Sequence, residues 1–331
     1  MPRTAFAALG TYVPDRVVTN DELTRHMETS DEWITQRTGI KERRWVAPGV
    51  GASDLAAEAT KRALDAAGWR ASDVEAIVYA TLSSDHGFPG DGCFLNAKLG
   101  IPGVPALDVR NQCTGFVYGL AVADAWIRIG MYRRVLLVGA EVHSTGLDVS
   151  TRGRDVAVIF GDGAGAALLE ATDDPDRGVL SCHLHADGRF ATDLWLDAPG
   201  SIYHPRVAKE MIDSGAVYAR MEGQKVFKHA ISKMPEVTRE ALAKNGLTTK
   251  DLKVLIAHQA NLRISEMVQR SLELRDDQVF NNIQKYGNTT AASIPLCLAE
   301  AIPARGVKRG DLVGLCAFGA GFTWASALVR W

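Results

Sequence analysis

The chain has 331 residues, of which 47% are apolar and 23% are charged, and its formal net charge at neutral pH is −2. This length and composition are ordinary for a globular protein built as one large domain or two moderate ones. The nearly balanced charge argues against nucleic acid as the main partner, and no apolar run approaches the length needed to span a membrane.

The cysteines and the first residues of the chain indicate its compartment. The 5 cysteines are scattered, odd in number and without metal-binding spacing, which favours a reducing environment. Residues 1–5 lack the charged and apolar blocks of a signal peptide. We therefore expect a cytoplasmic protein with no metal or redox cofactor.

The chain contains one structural unit twice. Residues 60–78 predict a helix, a glycine C-cap at Gly68, a short loop and a buried strand, and residues 238–256 predict the same order with a cap at Gly246. The two glycines are 178 positions apart, and the match extends without a gap over roughly 80 residues. This alternation of helices and strands predicts two similar α/β halves, although chance similarity of two helix–strand units is the alternative.

Cys113 lies between a predicted buried strand and a predicted helix, in the segment Asp-Val-Arg-Asn-Gln-Cys-Thr-Gly-Phe of residues 108–116. A helix start exposes unpaired N–H groups and a partial positive charge, which lower the pKa of a thiol. Cys113 is therefore a candidate nucleophile. A small buried residue without chemistry is the alternative for any single cysteine in such a place.

The glycine-rich run of residues 160–169 follows next, and its composition is similar to that of a nucleotide-binding loop. Its spacing fits neither the dinucleotide fingerprint nor the phosphate loop, and no lysine–serine pair follows it. We predict instead a turn at which two backbones pass closely before a buried strand begins.

Two further candidates lie in the second half of the chain. His258 follows the second predicted strand, and Asn288 lies in the Tyr-Gly-Asn-Thr-Thr segment of residues 286–290. The offset of 178 places Ala291, close to Asn288, opposite Cys113. Because equivalent loops of duplicated halves meet around a pseudo-dyad, we predict that cysteine, histidine and asparagine share one cavity. A thiol beside two hydrogen-bond donors suits acyl transfer through a thioester.

The pattern as a whole resembles the β-ketoacyl-acyl-carrier-protein synthase III family, the initiating condensing enzymes of type II fatty acid synthesis. The motifs that carry this resemblance cover nearly the whole chain and occupy residues 10–14, 29–34, 37–40, 108–116, 160–165, 258–261, 287–289, 318–326 and 327–330. The resemblance implies a thiolase fold, with duplicated α/β halves in a layered αβαβα arrangement. We place the half with the nucleophile at residues 1–170 and the half with the histidine and asparagine at residues 171–331.

The resemblance also implies a homodimer and a reaction in two steps. An acyl-CoA primer, a substrate rather than a cofactor, first acylates Cys113, and malonyl-acyl carrier protein then loses CO2 and attacks the acyl group. His258 and Asn288 would donate hydrogen bonds to the malonyl thioester oxygen, and Phe318 would crowd the malonyl carboxylate. The backbone N–H groups of Cys113 and of the turn at Ala320 are candidates for the acyl oxyanion hole, although close packing also explains a small-residue turn there.

Binding residues carry over from the family by motif. Trp33 and Arg154 match positions that sandwich the CoA adenine, and Arg37 and Thr29 are weaker candidates beside them. Phe88 matches a residue that reaches across the dimer to shape the acyl pocket of the partner subunit.

A basic patch for the acidic carrier protein is the last site that the resemblance implies. Its residues are Lys228, Arg263 and Arg270, for which a solvated surface without a partner is the alternative.

Two departures from the family pattern leave the primer open. Arg110–Gln112 stand where small residues are common, and residues 199–222 form a long segment that could reshape the acyl tunnel. A medium-chain primer therefore stands beside a short one. The alternative functions are a related acyl-CoA-dependent ketide synthase or acyltransferase of secondary metabolism and, from another class, a non-catalytic scaffold that binds acyl-CoA or carrier protein.

Overall fold

Two mixed β-sheets organise the chain, and the computed structural model describes residues 1–331. The strands are β1 (Arg3–Tyr12), β2 (Val17–Thr19), β3 (Glu42–Arg44), β4 (Ala76–Ala80), β5 (Ala106–Val109), β6 (Arg134–Glu141), β7 (Gly163–Thr172), β8 (Gly178–Ala186), β9 (Leu194–Trp195), β10 (Arg220–Met221), β11 (Leu252–Ala257), β12 (Leu312–Gly319) and β13 (Thr323–Arg330). The helices are α1 (Asn20–Leu23), α2 (Asp31–Thr38), α3 (Ala52–Ala67), α4 (Asp91–Leu99), α5 (Gly115–Arg128), α6 (Arg154–Ala157), α7 (Lys209–Asp213), α8 (Gly223–Lys244), α9 (Leu262–Ser271), α10 (Ile283–Tyr286) and α11 (Ser293–Ala304).

The first sheet has five strands in the order β1-β7-β6-β4-β5. Strands β6, β4 and β5 run parallel, and the β1–β7 and β7–β6 pairs are antiparallel. All residues of β4 are buried, as expected for a parallel strand covered on both faces.

The second sheet repeats the first in the order β8-β13-β12-β11. Strands β11 and β12 are parallel, and the other two pairs are antiparallel. Strands β6 and β12 have equal length and are related by the predicted offset of 178, as are the first residues of α5 and α11. An isolated bridge between Leu255 and Val279 lies where β5 would be expected in the second half.

Helices α5 and α11 are packed between the two sheets. One core cluster of 25 buried residues joins their side chains, such as Phe116 and Ile294, to strands of both sheets. Helix α5 is apolar on nearly all sides, which suits a helix enclosed between two layers. Helix α3 covers the outer face of the first sheet, and α8 covers that of the second. The predicted αβαβα layering of two duplicated halves is therefore confirmed.

The predicted boundary between the halves needs a small correction. A division after residue 170 falls inside β7, which continues to Thr172 because it stays paired with β1 to its end. Residues 173–177 connect β7 to β8. None of the helices is both long enough and apolar enough to cross a bilayer.

Candidate active site

The three predicted catalytic residues lie around the starts of α5 and α11. Cys113 is in the short turn immediately before α5, Asn288 precedes the equivalent turn before α11, and His258 follows β11. The two helix starts are in close contact, since a Cβ added at Gly115 would lie 3.5 Å from the Cβ of Ala291. The duplication thus brings the two helix starts together, as the offset predicts, whereas His258 and Asn288 are not among the residues that line the cavity at Cys113.

Cys113 lines a cavity of about 1010 Å³. The thiol is only 7% exposed. The preceding residue, Gln112, has a left-handed backbone with φ 45°, which turns the chain sharply from β5 into the helix. A non-glycine residue in this region is uncommon and is often found at functional sites.

Burial dominates the electrostatics of Cys113. It raises the pKa of the thiol to about 12, and the nearby charge of Glu141 acts in the same direction. The backbone N–H groups of Cys113 itself and of Ala320 approach the sulfur and oppose this rise. The N–H groups at the helix start lower the thiol pKa, as predicted, but desolvation outweighs them, so the net shift is upward.

The end of β12 lies directly against Cys113. A Cβ added at Gly319 would be 2.9 Å from the Cβ of Cys113, so only glycine allows this approach. The close approach brings the Ala320 N–H to the sulfur, where the sequence predicts an oxyanion-hole donor. Phe318 is buried at the same strand end, with its ring centre 4.9 Å from that of Phe322.

His258 is a neutral imidazole held by one partner. Its Nδ1 lies 2.6 Å from the Ser293 hydroxyl, while its Nε2 is buried without a hydrogen-bond partner. The Gln259 N–H donates to the same hydroxyl oxygen at 3.4 Å. In the tautomer in which the Ser293 hydroxyl donates to Nδ1, the ring proton is on Nε2, where it can be donated. Burial lowers the pKa of His258 to about 3, which keeps the ring uncharged.

Asn288 is fixed by its backbone and by its side-chain oxygen. Its N–H donates to Ile159 O at 2.9 Å, and its carbonyl accepts the Gly161 N–H at 3.1 Å. Its Oδ1 accepts the Thr290 N–H at 2.8 Å, which leaves Nδ2 to donate. A Cβ at Gly161 would lie 2.2 Å from the Tyr286 carbonyl oxygen. The glycine-rich run is therefore a place where backbones pass closely, as the sequence predicts.

Two guanidinium groups lie close to the ring of Trp33. Arg37 is 4.3 Å and Arg154 is 4.8 Å from its ring centre. Arg154 also donates to the carbonyl of Glu28 at 2.7 Å, while its Nε and the Thr29 hydroxyl are buried without hydrogen-bond partners. All four predicted CoA residues are therefore adjacent. A base placed between Trp33 and Arg154 would stack on both, and two stacked contacts need about 7 Å between the indole ring and the guanidinium. The present separation is shorter, so the Arg154 guanidinium must move outward to admit a base.

The remaining predicted binding residues are on the surface. Phe88 is 86% exposed, and Lys228 on α8 is exposed beside α9. Arg263 and Arg270 are both exposed on α9. Arg270 is 3.8 Å from Glu266, so part of its positive charge is compensated within the helix.

The long segment at residues 199–222 does reach the cavity. It contains α7 and β10, and Val217 and Ala219 contribute to the cavity wall. Arg110 and Gln112 line the same cavity, together with His143 and Thr290. The space next to Cys113 is therefore partly polar.

Sequence reasoning missed the buried carboxylate of Glu141. Located at the end of β6, it is fully buried and its carboxylate accepts hydrogen bonds from the groups around it, namely Thr81 Oγ1, Leu82 N, Ser83 N, Ser83 Oγ and Ala291 N. Burial raises the pKa of Glu141 to about 7. The available signal was an acidic residue that directly follows the apolar run of β6, where the adjacent loops leave N–H groups to be satisfied.

Comparison with known proteins identifies one family. A model of 3-oxoacyl-[acyl-carrier-protein (ACP)] synthase III matches residues 107–188, and the model of its C-terminal part matches residues 242–331. The β-ketoacyl-[acyl-carrier-protein] synthase III of Rhodospirillum centenum (strain ATCC 51521 / SW) is 46% identical over 332 residues, which cover 99% of each chain.

Solved structures show the same relationship. The Thermus thermophilus β-ketoacyl-[acyl carrier protein] synthase III superposes with a TM-score of 0.91 at 39% identity, over 99% of both chains. The priming β-ketosynthase of the R1128 polyketide biosynthetic pathway has a TM-score of 0.89 at 29% identity, over 99% of this chain and 96% of the other.

The class follows from the fold and the matches together: this is a thiolase-fold condensing acyltransferase. The polyketide relative, at 29% identity, is less similar in sequence than the Rhodospirillum centenum synthase III, at 46%. The chain belongs to the β-ketoacyl-[acyl-carrier-protein] synthase III family, and the predicted family is confirmed.

Proposed function

We propose that the protein condenses an acyl-CoA primer with malonyl-acyl carrier protein and so initiates fatty acid synthesis. The observation that carries this proposal is the contact of Cys113 with the Ala320 N–H, beside the donors His258 and Asn288 at the start of α11. Membership of the family supplies the substrates that such a site would use.

The first half-reaction is acyl transfer to Cys113. The thiol loses its proton, the sulfur bonds to the acyl carbon, and the bond from that carbon to the CoA sulfur breaks so that CoA leaves as a thiol. Negative charge develops on the acyl oxygen, and the N–H groups of Cys113 and Ala320 would stabilise it. Each such donor contributes roughly 3 kcal/mol to the transition state.

The second half-reaction is decarboxylation followed by condensation. The bond from the malonyl α-carbon to its carboxylate breaks, CO2 leaves, and the electron pair forms an enolate on the thioester. His258 Nε2 and Asn288 Nδ2 would donate to that enolate oxygen, and the buried ring of Phe318 would favour departure of neutral CO2. The α-carbon then bonds to the acyl carbon, and the Cys113 sulfur departs from the β-ketoacyl product.

The CoA moiety would lie at Trp33, with Arg154 stacked on the far side of the adenine. Cation–π attraction already holds both arginines at the indole ring. The unpartnered Thr29 hydroxyl and Arg154 Nε supply donors for polar atoms of the nucleotide, and Arg37 supplies a charge near the phosphates.

The carrier protein would dock on Lys228, Arg263 and Arg270. These residues lie on the exposed faces of α8 and α9, which contact each other, and their positive charge suits an acidic partner.

A homodimer is part of the proposal. Strand β5 is at the edge of the first sheet, and its Leu107 is 41% exposed. Phe88 projects as an isolated aromatic side chain that is 86% exposed. A second copy paired at β5 would cover both, because an unpaired sheet edge is a template for pairing with another chain. We also propose a cytoplasmic location, which the 5 free cysteines favour.

The test is the intact mass of the protein after incubation with acyl-CoAs of increasing chain length, beside the Cys113→Ser variant. A single acyl adduct on the wild type, absent from the variant, is expected, and the preferred length would define the primer. No adduct with any acyl-CoA would overturn the CoA-primed reaction and would favour the scaffold alternative. An adduct that malonyl-acyl carrier protein does not discharge would favour the secondary-metabolism alternative.

A further inference from the structure

A short chain of hydrogen bonds connects His143 to Asn288. His143 follows β6, and its Nε2 shares a hydrogen bond of 2.6 Å with the Thr290 hydroxyl. The backbone N–H of Thr290 donates to Asn288 Oδ1 at 2.8 Å. Because the oxygen end of the amide is engaged in this way, the NH2 end of Asn288 is directed to the opposite side.

Thr290 has an unfavourable backbone conformation at the position where it contacts both His143 and Asn288. Its φ is 49°, a left-handed value that β-branched residues rarely adopt. Such a conformation persists only where surrounding contacts hold it, and His143 binds the one hydroxyl that Thr290 has. The equivalent residue in the first half, Gln112, is also left-handed and immediately precedes Cys113.

His143 is itself held rigidly. Its backbone N–H donates to the buried carboxylate of Asp162 at 2.7 Å, and its ring lies 4.7 Å from that of Phe160. The backbone of Phe160 is bridged to Asn288. Burial lowers the pKa of His143 to about 3, so its hydrogen bond to Thr290 does not change across the physiological pH range. Asn288 is therefore held by two contacts, one from His143 through Thr290 and one from the backbone of Phe160.

We propose that His143 is a positioning residue for decarboxylation, acting through Thr290 to orient the Asn288 amide toward the enolate oxygen. The proposal rests on the function proposed above, in which Asn288 stabilises the enolate and takes no part in acyl transfer to Cys113. It assigns His143 to only one of the two half-reactions, although His143 also lines the cavity that contains the nucleophile.

The test measures the two half-reactions separately in Thr290→Ala and His143→Ala. Acyl transfer is followed as the mass adduct on Cys113 with acyl-CoA alone, and decarboxylation as CO2 released from radiolabelled malonyl-acyl carrier protein. Misplacement of a catalytic group by about 1 Å costs roughly a hundredfold. We expect decarboxylation to fall roughly ten- to a hundredfold and acylation to stay within about threefold of the wild type.

Thr290→Ser is the conservative variant, because it keeps the hydroxyl for His143 and should restore decarboxylation. Thr238→Ala is the matched control, since Thr238 is also a fully buried threonine whose hydroxyl makes a hydrogen bond, of 2.8 Å to Met234 O. This control should lower the unfolding free energy without changing the ratio of the two half-reactions.

Equal loss of both half-reactions in Thr290→Ala and His143→Ala would overturn the proposal and leave these residues as parts of the cavity wall. Unchanged decarboxylation in both variants would overturn it as well. Asn288→Ala separates this result from failure of the proposed function. If Asn288→Ala decarboxylates normally, Asn288 does not stabilise the enolate. The positioning role proposed for His143 is then excluded as well.

Discussion

The substitution Gly319→Ala tests whether the close approach of β12 to Cys113 matters for catalysis. The added Cβ would lie 2.9 Å from the Cβ of Cys113 and 3.1 Å from its backbone N. Comfortable contacts between such atoms are about 3.5–4.0 Å, so the two segments must separate by roughly 0.5–1 Å. The atoms that must move are backbone or adjacent to it, and they include both N–H groups that face the sulfur.

The expected loss follows from the oxyanion hole. Losing one such donor costs roughly 10²–10³ in rate, or about 2.7–4 kcal/mol. We therefore expect acylation of Cys113 to slow by at least about a hundredfold, while overpacking lowers the unfolding free energy by only about 1–3 kcal/mol. Acylation is measured as the rate of adduct formation by intact mass under single-turnover conditions, and stability by denaturant unfolding.

Gly314→Ala on the same strand is the matched control. A Cβ there would meet the side-chain ends of Leu255 and Leu252, at 2.8 Å and 3.1 Å, in the core far from the sulfur. This control should lose a similar amount of stability, about 1–3 kcal/mol, and acylate at the wild-type rate. If Gly319→Ala acylates as fast as Gly314→Ala, the Ala320 N–H does not stabilise the transition state and the reasoning fails.

Three further predictions concern charge and binding. The rate at which iodoacetamide alkylates Cys113 should rise about tenfold per pH unit from pH 7 to 10 without a plateau. The reason is that a thiol with a pKa of about 12 gains thiolate over that whole range. A plateau of the rate near pH 8 would contradict this prediction. Trp33→Ala should raise the KM for acyl-CoA roughly tenfold or more with little change in kcat, since stacking on a base contributes about 1–3 kcal/mol. Its control is Trp69→Ala, which removes a similar arginine–tryptophan pair with Arg134 at 4.7 Å; an equal rise in both variants would remove Trp33 from the CoA site. Arg263→Glu should slow the reaction with malonyl-acyl carrier protein, more at low salt than at high salt, and should leave acylation by acyl-CoA unchanged. If the effect does not depend on salt, docking of the carrier protein at Arg263 is excluded.

The sequence predicts the fold well because the duplication repeats every local signal. A glycine cap, a loop and an apolar run recur at one offset, and the structure keeps that offset in β6 and β12 and at the starts of α5 and α11. Local propensity and hydrophobic pattern predict the same elements in both halves. The prediction made for one half therefore supports the prediction made for the other half. The boundary between the halves was less accurate, because strand pairing rather than composition decides where β7 ends.

The chemistry of the candidate nucleophile could be predicted only in part. The residue types and their positions at helix starts identify Cys113, His258 and Asn288 as candidates that meet in one place. The direction of the thiol pKa could not be predicted, because it depends on how completely the surrounding layers exclude water. The polar groups that hold the histidine and asparagine, Ser293 and Thr290, could not be identified either, since hydrogen-bond partners are set by side-chain direction in the folded state.

The sequence by itself determined the family and the duplicated architecture, because these depend on motifs and on a fixed spacing, and the same motifs identify the candidate reacting residues. Only the tertiary structure decided what surrounds those residues. The buried carboxylate of Glu141, the approach of Gly319 to the thiol and the connection from His143 to Asn288 all join positions distant in the chain. The physical reason is that burial and hydrogen bonding arise from the packing of two sheets around two central helices, and no local pattern specifies which distant groups that packing brings together.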